Sequence, residues 1–252
     1  MEAYRRLKLE TILNVRDLGG WPMADGGTTK YGVFLRSAIP EELSEKDRQT
    51  LRDYDLSLAV DLRGSFEIKG RPDPFARESW LEYKNIPMFD EAAAGGQNNY
   101  PSAFEKGFFW GDQYIVMAES HKDWMKTVLD TLAGARGAAL FHCTTGKDRT
   151  GIVTAVLLGL CGVAREDIVA DYCVSQCYLL PIYVKYLLPD RHIAAGTSLD
   201  APFFSTAPAN METLLDHFDK QYGGINGFVA ACGVSAETVN RLKARLGGTE
   251  RK

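Results

Sequence analysis

The 252-residue sequence has no apolar stretch long enough to cross a membrane. Its longest apolar run, Ile152 to Val163, falls well short of the roughly 20 residues that a membrane-spanning helix needs. The N-terminal segment MEAYRRLKLETILNVRD also lacks the apolar centre of a secretory signal. We therefore expect a cytoplasmic protein with no integral membrane segment, and non-standard secretion is the alternative that this pattern leaves.

Long runs of lysine and arginine are absent as well. The formal net charge is −4 and the isoelectric point is near 5.7, whereas a nucleic-acid binder normally carries a basic face. We therefore expect no nucleic-acid partner. Nothing in the sequence determines an oligomeric state.

Cysteine and histidine are too few and too scattered for a disulfide framework or a metal cluster. The chain has five cysteines, an odd number without regular spacing, and four histidines. Free thiols in a reducing compartment fit this usage better than an oxidised secreted scaffold does. We expect neither a metal ion nor a cofactor.

Short strand-like runs alternate with helical patterns, which favours an α/β fold. The predicted strands are Gly32–Arg36, Leu56–Leu62, Tyr83–Pro87 and Ala138–His142. This alternation predicts a mostly parallel central sheet flanked by helices, followed by a C-terminal helical portion.

The helical patterns differ in how far they extend. Ser44 begins a predicted helix that runs to about Tyr54, and residues 104–132 form a long amphipathic region. Residues 166–188 are expected to form one or two helices broken at Pro181, and residues 189–210 a loop. We expect one domain over residues 1–252, in which residues 165–210 form either a mobile cover over a site or an ordinary helical layer.

The segment FHCTTGKDRTG, residues 141–151, carries the chemistry of the chain. A bare C-x5-R pattern is weak, but here an apolar strand leads into Cys143 and an apolar helix begins at Arg149. A turn of this kind gathers backbone N–H groups at a helix N-terminus, which is an anion site. A structural turn has no need for Lys147, Asp148 and Arg149 in succession, whereas a bound dianion would pair with positive charge here.

Each residue type in this segment suits phosphoryl transfer. Cys143 is expected to be a thiolate, because a helix N-terminus favours the charged form, and to attack phosphorus as the nucleophile. Arg149 can hold two phosphate oxygens with its planar fork, and Thr150 can stabilise the thiolate as it leaves. His142 is expected to orient the loop. The predicted phosphate-binding residues are Thr144, Thr145, Gly146, Lys147, Asp148 and Arg149.

Several motifs together resemble a known family. The loop HCTTGKDRTG is similar to the signature of the tyrosine phosphatases, specifically a mostly microbial branch of tyrosine and dual-specificity phosphatases with a K-D-R loop. The supporting matches are NVRDLGG at residues 14–20, LRS at 35–37, VDLR at 60–63 and YGG at 222–224. The resemblance implies a phosphatase domain, a two-step cysteine mechanism without metal, and phosphotyrosine on proteins as the substrate. In some relatives it also implies phosphoinositides.

The general acid has two candidates. Asp148 lies in the loop and is similar to the acid proposed for the K-D-R branch, whereas Asp90 follows the strand that precedes the usual acid loop. Asp17 and Arg36 are expected to support the loop or the substrate.

Rival functions fit this loop less well. A sulfur carrier has little use for Lys147 and Asp148 beside the arginine, and arsenate reductases with this loop place it near the N-terminus. A non-catalytic phosphate-binding module would be expected to lack the cysteine or the arginine.

Overall fold

A five-stranded sheet runs through the computed structural model, which describes residues 5–89, 107–183 and 202–247. The strands are β1 Arg16–Asp17, β2 Phe34–Ser37, β3 Leu56–Asp61, β4 Glu82–Asn85 and β5 Ala138–His142. Their order across the sheet is β1-β2-β5-β3-β4, with β1 antiparallel to β2 and the other neighbours parallel. The predicted α/β class with a mostly parallel sheet is confirmed.

Strand β5 lies at the centre of the sheet and is buried along its whole length. Alternate side chains point to opposite faces, so Leu140 joins the apolar cluster on one face and Phe141 the larger cluster on the other. Its last residue, His142, pairs with Ser37 of β2 and Asp61 of β3. The carboxyl ends of three parallel strands therefore meet at one edge, where folds of this class place their ligands.

Helices cover both faces of the sheet. The helices are α1 Glu45–Asp53, α2 Ser65–Gly70, α3 Trp110–Ser120, α4 Lys122–Ala133, α5 Asp148–Leu160, α6 Arg165–Ile182, α7 Pro208–Tyr222, α8 Ile225–Ala231 and α9 Ala236–Leu246, with 3₁₀ turns at Pro74–Arg77 and Pro202–Phe204. Helix α5 is apolar on most sides because it contacts β2 and β5 as well as α3, α6, α8 and α9. In the described residues no helix combines the length and hydropathy needed to cross a membrane.

The predicted elements agree with the structure except where tertiary contacts intervene. The amphipathic region at 104–132 divides at His121 into two helices, and its first residues, 104–106, lie outside the described residues. Helix α6 includes Pro181 in its last turn and ends at Ile182, so the helix ends close to the predicted break, and residues 184–188 of the predicted region lie outside the described residues. Strand β1 was not predicted, since two residues are too few to produce a period.

Residues 165–210 were expected to form either a mobile cover or a helical layer, and the structure describes two parts of this segment. Its first part is α6, whose Asp171, Ser175 and Leu179 are buried, so this helix is a packing layer of the fold. Its last residues, Pro208–Asn210, form the first turn of α7 rather than a loop. Residues 184–201 lie outside the described part of the chain.

Candidate active site

The loop between β5 and α5 begins at Cys143, which is buried, and ends at Lys147, directly before the helix starts at Asp148. Gly146 allows the loop to press against the end of β2. Its φ is +70°, and a Cβ at this position would lie 2.2 Å from the carbonyl oxygen of Ser37. Only glycine fits both the backbone conformation and the space.

Two carbonyl groups of the loop are held from behind. The side-chain amide of Asn14 donates to the carbonyl oxygens of Thr145 at 2.9 Å and Gly146 at 3.2 Å. Arg36 Nη2 donates to the same Gly146 oxygen at 2.7 Å. A peptide N–H points away from its C=O, so binding the carbonyl oxygens on one side leaves N–H groups for the opposite side. The loop is thereby prepared for an anion.

A buried carboxylate supports these donors. Asp171 of α6 lies 2.9 Å from Arg16 Nε and 2.5 Å from Arg36 Nη1, and all three side chains are buried. Arg16 in turn donates to Asn14 Oδ1 at 2.6 Å. Burial by itself would raise the pKa of Asp171, but the two guanidinium groups outweigh it and lower the pKa. Burial also lowers the pKa of Arg36 to about 10, which still leaves it charged at neutral pH.

Asp171 was not identified from the sequence. The available signal was a carboxylate within the apolar run Ile168–Tyr172, since a buried charge in a helix requires a partner. That signal does not identify the partners of Asp171. Its two arginine partners lie far earlier in the chain, Arg16 by 155 residues and Arg36 by 135.

Arg149 is held by a second carboxylate that sequence reasoning missed. Its Nη1 and Nη2 donate to the two oxygens of Glu67 on α2, at 2.6 and 2.8 Å. Burial raises the pKa of Glu67, but its hydrogen bonds to Arg149 and Thr144 and the charge of Arg149 lower it to about 2. The two parallel hydrogen bonds fix the plane of the guanidinium group.

Asp148 has one oxygen engaged within the protein. Tyr114 Oη donates to Asp148 Oδ1 at 2.5 Å, and the Lys147 ammonium lies 3.5 Å from that same oxygen. No hydrogen bond to Asp148 Oδ2 is found among the described residues, and the side chain is 17% exposed. The second oxygen is therefore available to a bound molecule.

The ammonium of Lys147 is directed differently from the prediction. It donates to the carbonyl oxygens of Phe203 at 2.7 Å and Ser205 at 3.3 Å, and lies 4.4 Å from the ring centre of Trp110. Burial lowers the pKa of Lys147. In this geometry the ammonium binds backbone carbonyl groups of the 202–205 segment. These contacts do not favour phosphate binding by the ammonium, which stays a prediction.

His142 directly precedes Cys143 and is fully buried. Its Nδ1 is 3.2 Å from the carbonyl oxygen of Cys143, and its Nε2 is 2.9 Å from Asp73 Oδ2. Burial lowers the pKa of His142, but the neighbouring Asp73 and Asp61 outweigh this and raise it. The imidazole therefore lies between the backbone of Cys143 and the Asp73 carboxylate.

The same place contains the cluster that could hold a metal ion, formed by Asp61, Asp73 and His142. The guanidinium of Arg63 already lies 2.7 Å from Asp61 Oδ2 and 3.5 Å from Asp73 Oδ2. Because Arg63 supplies the cation that these carboxylates require, we do not assign a metal here.

The remaining predicted residues separate into those at the loop and those elsewhere. Thr144 Oγ1 donates to Glu67, and Thr150 Oγ1 is buried with no hydrogen-bond partner in the described part of the chain.

Asp17 does not support the loop as predicted, because it accepts from Gly19 N–H, Gly32 N–H and the Tyr54 hydroxyl. Successive residues of a strand face opposite sides, so Arg16 reaches the loop network and Asp17 does not. Asp90 lies outside the described residues.

Comparison with known proteins adds independent findings. A sequence profile of the tyrosine phosphatase family matches residues 7–248. The chain is 30% identical to a tyrosine-protein phosphatase of Nostoc commune over 224 residues, which cover 85% of this chain and 74% of the relative. It is 25% identical to the triple specificity protein phosphatase PtpB of Mycobacterium tuberculosis, covering 93% of this chain and 99% of that protein. The crystal structure of P. aeruginosa TpbA matches at 13% identity and a TM-score of 0.42, covering 84% of this chain and 96% of that one, a likeness too distant to bear on fold or function.

The buried network behind the loop predicts a large stability effect. Asp171→Asn removes the carboxylate between two buried guanidinium groups, and breaking a buried pair in this way costs about 3–5 kcal/mol. We expect the free energy of unfolding in urea to fall by that amount. The control is Glu10→Gln, which breaks the exposed pair with Lys46 and should leave the free energy of unfolding nearly unchanged. Equal stability of the Asp171 and Glu10 variants would contradict the role of the network.

The Glu67–Arg149 pair predicts a dependence of stability on pH. The pKa of Glu67 is lowered from 4.5 to about 2 in the folded protein, so its contribution is complete above about pH 5 and is lost as the pH falls towards 2. The difference in unfolding free energy between the native chain and Glu67→Gln should be at most about 3 kcal/mol at neutral pH and shrink through that window. A difference that stays constant from pH 6 to pH 3 would rule out this pairing.

Proposed function

Since this chain belongs to the tyrosine phosphatase family, we propose that it hydrolyses phosphate monoesters, in particular phosphotyrosine on proteins, through a covalent phosphocysteine on Cys143. Members of this family are phosphoric monoester hydrolases, and the proposal concerns the mechanism and the substrate. The observation that carries it is the loop from Cys143 to Arg149, with its carbonyl oxygens bound from behind and its arginine held by Glu67.

In the first step the Cys143 thiolate attacks phosphorus while the bond from phosphorus to the ester oxygen breaks. Asp148 gives its proton to the departing oxygen, so the alcohol or phenol leaves neutral. The products are the free hydroxyl compound and a phosphocysteine. Arg149 and the loop N–H groups bind the non-bridging oxygens, where negative charge must be stabilised in the transition state.

In the second step water hydrolyses the phosphocysteine. The Asp148 carboxylate takes a proton from the water, whose oxygen attacks phosphorus as the bond to sulfur breaks. Inorganic phosphate leaves and the thiolate returns. Thr150, whose buried hydroxyl has no partner in the described residues, is proposed to donate to the sulfur as it leaves.

Asp148 is proposed as the acid on the basis of its contacts. Its Oδ1 is held by Tyr114 and its Oδ2 has no partner among the described residues, which suits a group that must reach a substrate oxygen. The alternative, Asp90, has no described position from which to argue.

A broader substrate range is the second candidate. The relative PtpB is named a triple specificity protein phosphatase, which supports testing further phosphorylated residues and, with them, phosphoinositides. Lys147 is the loop residue that could add positive charge for a phosphoinositide, but its ammonium donates to the carbonyl groups of Phe203 and Ser205. Phosphotyrosine on proteins is accordingly the first proposal.

Two further proposals concern the chain as a whole. The family profile spans residues 7–248, which supports one phosphatase domain over the chain. All five cysteines are free thiols, which supports a cytoplasmic location, since a nucleophilic thiolate requires a reducing compartment.

The nucleophile is tested by Cys143→Ser. We expect turnover of a phosphotyrosine peptide to fall by roughly 10³-fold or more, because the hydroxyl does not supply a comparable nucleophile. Vanadate and phosphate should still bind, since the loop and Arg149 remain. The matched control is Cys177→Ser, an exposed cysteine of α6, which should keep full activity. Retention of more than a few per cent of turnover by the Cys143 variant would refute the phosphocysteine mechanism.

The substrate range is tested with phosphotyrosine, phosphoserine and phosphoinositide substrates on the native chain and on Lys147→Met. Methionine keeps an apolar stem beside Trp110 but removes the charge that binds the 203 and 205 carbonyl oxygens. We expect phosphotyrosine to have the highest kcat/KM, and the variant to lose the same factor on every substrate. A loss confined to phosphoinositides would show that the ammonium reaches the substrate after all.

A further inference from the structure

A row of three buried side chains from three helices ends at the Asp148 carboxylate. Asn210 of α7 donates to Tyr172 Oη of α6 at 3.2 Å, and Tyr172 Oη lies 2.7 Å from Tyr114 Oη of α3. Tyr114 donates to Asp148 Oδ1 at 2.5 Å. The three side chains are at most 2% exposed, so their polar atoms have no water to bind instead.

The direction of this row follows from its two ends. At one end the Asn210 amide nitrogen also faces the Ser205 carbonyl oxygen at 3.4 Å, which can only accept, so this nitrogen is the donor. Tyr172 therefore accepts from Asn210 and has its own proton to give to Tyr114. Tyr114 in turn gives its single proton to Asp148. Every donor in the row points towards Oδ1.

The two tyrosines cannot act as acids themselves near neutral pH. Burial, reinforced by the nearby Asp148, raises the pKa of Tyr114 and of Tyr172 well above its ordinary value. Both hydroxyls keep their protons and serve as fixed donors. Lys147, whose ammonium lies 3.5 Å from Oδ1, adds a positive charge on the same side of the carboxylate.

We propose that Tyr114 is a positioning residue that confines the acidic proton of Asp148 to Oδ2. Oδ1 already accepts from Tyr114 and faces Lys147, so a proton placed there would meet two donors. Oδ2, which has no partner in the described residues, is the remaining place for it. The row thus sets both the orientation of the carboxyl group and which oxygen delivers the proton. This inference rests on the proposed role of Asp148 as general acid.

A general acid matters most when the leaving oxygen is basic, and this gives the test. Phenyl phosphate releases a phenol with a pKa of about 10, like that of tyrosine, whereas 4-nitrophenyl phosphate releases a far more acidic phenol that needs little protonation. The measured quantity is kcat/KM, which reports formation of the phosphocysteine. Tyr114→Phe keeps the ring and removes only the donor. We expect about 10-fold or greater loss on phenyl phosphate and no more than about 2-fold loss on 4-nitrophenyl phosphate.

Three further variants separate the possible outcomes. Asp148→Asn should show the same difference between the substrates, but larger, within the range of about 10²–10⁴ that general acids contribute. Tyr54→Phe is the matched control, because it removes another tyrosine hydroxyl that donates to a buried carboxylate, Asp17, away from the loop; it should change neither substrate. Should Tyr114→Phe fail to fold, Tyr172→Phe removes the preceding donor and should give a smaller difference of the same sign.

The failures are distinguishable from one another. A substrate difference in Asp148→Asn without one in the tyrosine variants overturns the positioning role and leaves the proposed mechanism intact. Equal losses on both substrates in Asp148→Asn overturn Asp148 as the acid, and the inference with it. A substrate difference in Tyr54→Phe would also overturn the inference, since the effect would then follow from stability rather than from position.

Discussion

The buried contact of Asp171 with Arg16 and Arg36 is the interaction on which the loop depends. Arg36 spans from this carboxylate to the carbonyl oxygen of Gly146, and Arg16 holds the Asn14 side chain that binds Thr145 and Gly146. Without the carboxylate, two guanidinium groups would lie in the core without an anion, a cost that a fold of ordinary stability cannot easily bear. The network therefore both stabilises the packing of α6 and sets the direction of the loop peptides.

The arginines of the site fall into two groups, each paired with a different carboxylate. Arginines that hold the loop lie behind it and are paired with Asp171, whereas the arginine assigned to the substrate is held from the side by Glu67. Each fixed charge has a partner within the protein, so little reorganisation is needed when an anion arrives. Preorganisation of this kind is the usual source of electrostatic stabilisation in enzymes.

Two adjacent residues at the end of the loop illustrate why adjacency in sequence does not decide a role. Lys147 and Asp148 follow one another, yet the lysine side chain is buried against Trp110 and the 203–205 carbonyl groups while Asp148 keeps a partly exposed oxygen. The turn from loop to helix sends successive side chains in different directions. A charged residue of the loop can thus bind a segment that is distant in the sequence, as Lys147 binds the carbonyl groups of Phe203 and Ser205.

Much of the fold and part of the site could be predicted because their signals are local. The apolar run at β5, the Gly146 turn and the apolar helix α5 lie within some two dozen consecutive residues, and each has a period or a turn residue that specifies it. The resemblance of the HCTTGKDRTG loop added the roles expected of Cys143 and Arg149. Shorter elements such as β1 and α2 escaped prediction because a few residues do not establish a period.

Local patterns in the sequence were enough to predict the α/β class, the strand–loop–helix unit around Cys143, and the residue types suited to an anion. The pairing of polar groups became visible only in the folded chain: Glu67 with Arg149 over 82 residues, Asp171 with Arg36 over 135, and Tyr114 with Asp148 over 34. The folded chain also shows that Asp17 contacts Gly19, Gly32 and Tyr54 rather than the loop. Backbone periodicity is a property of neighbouring residues, whereas the partner of a buried charge depends on how the helices pack against the sheet.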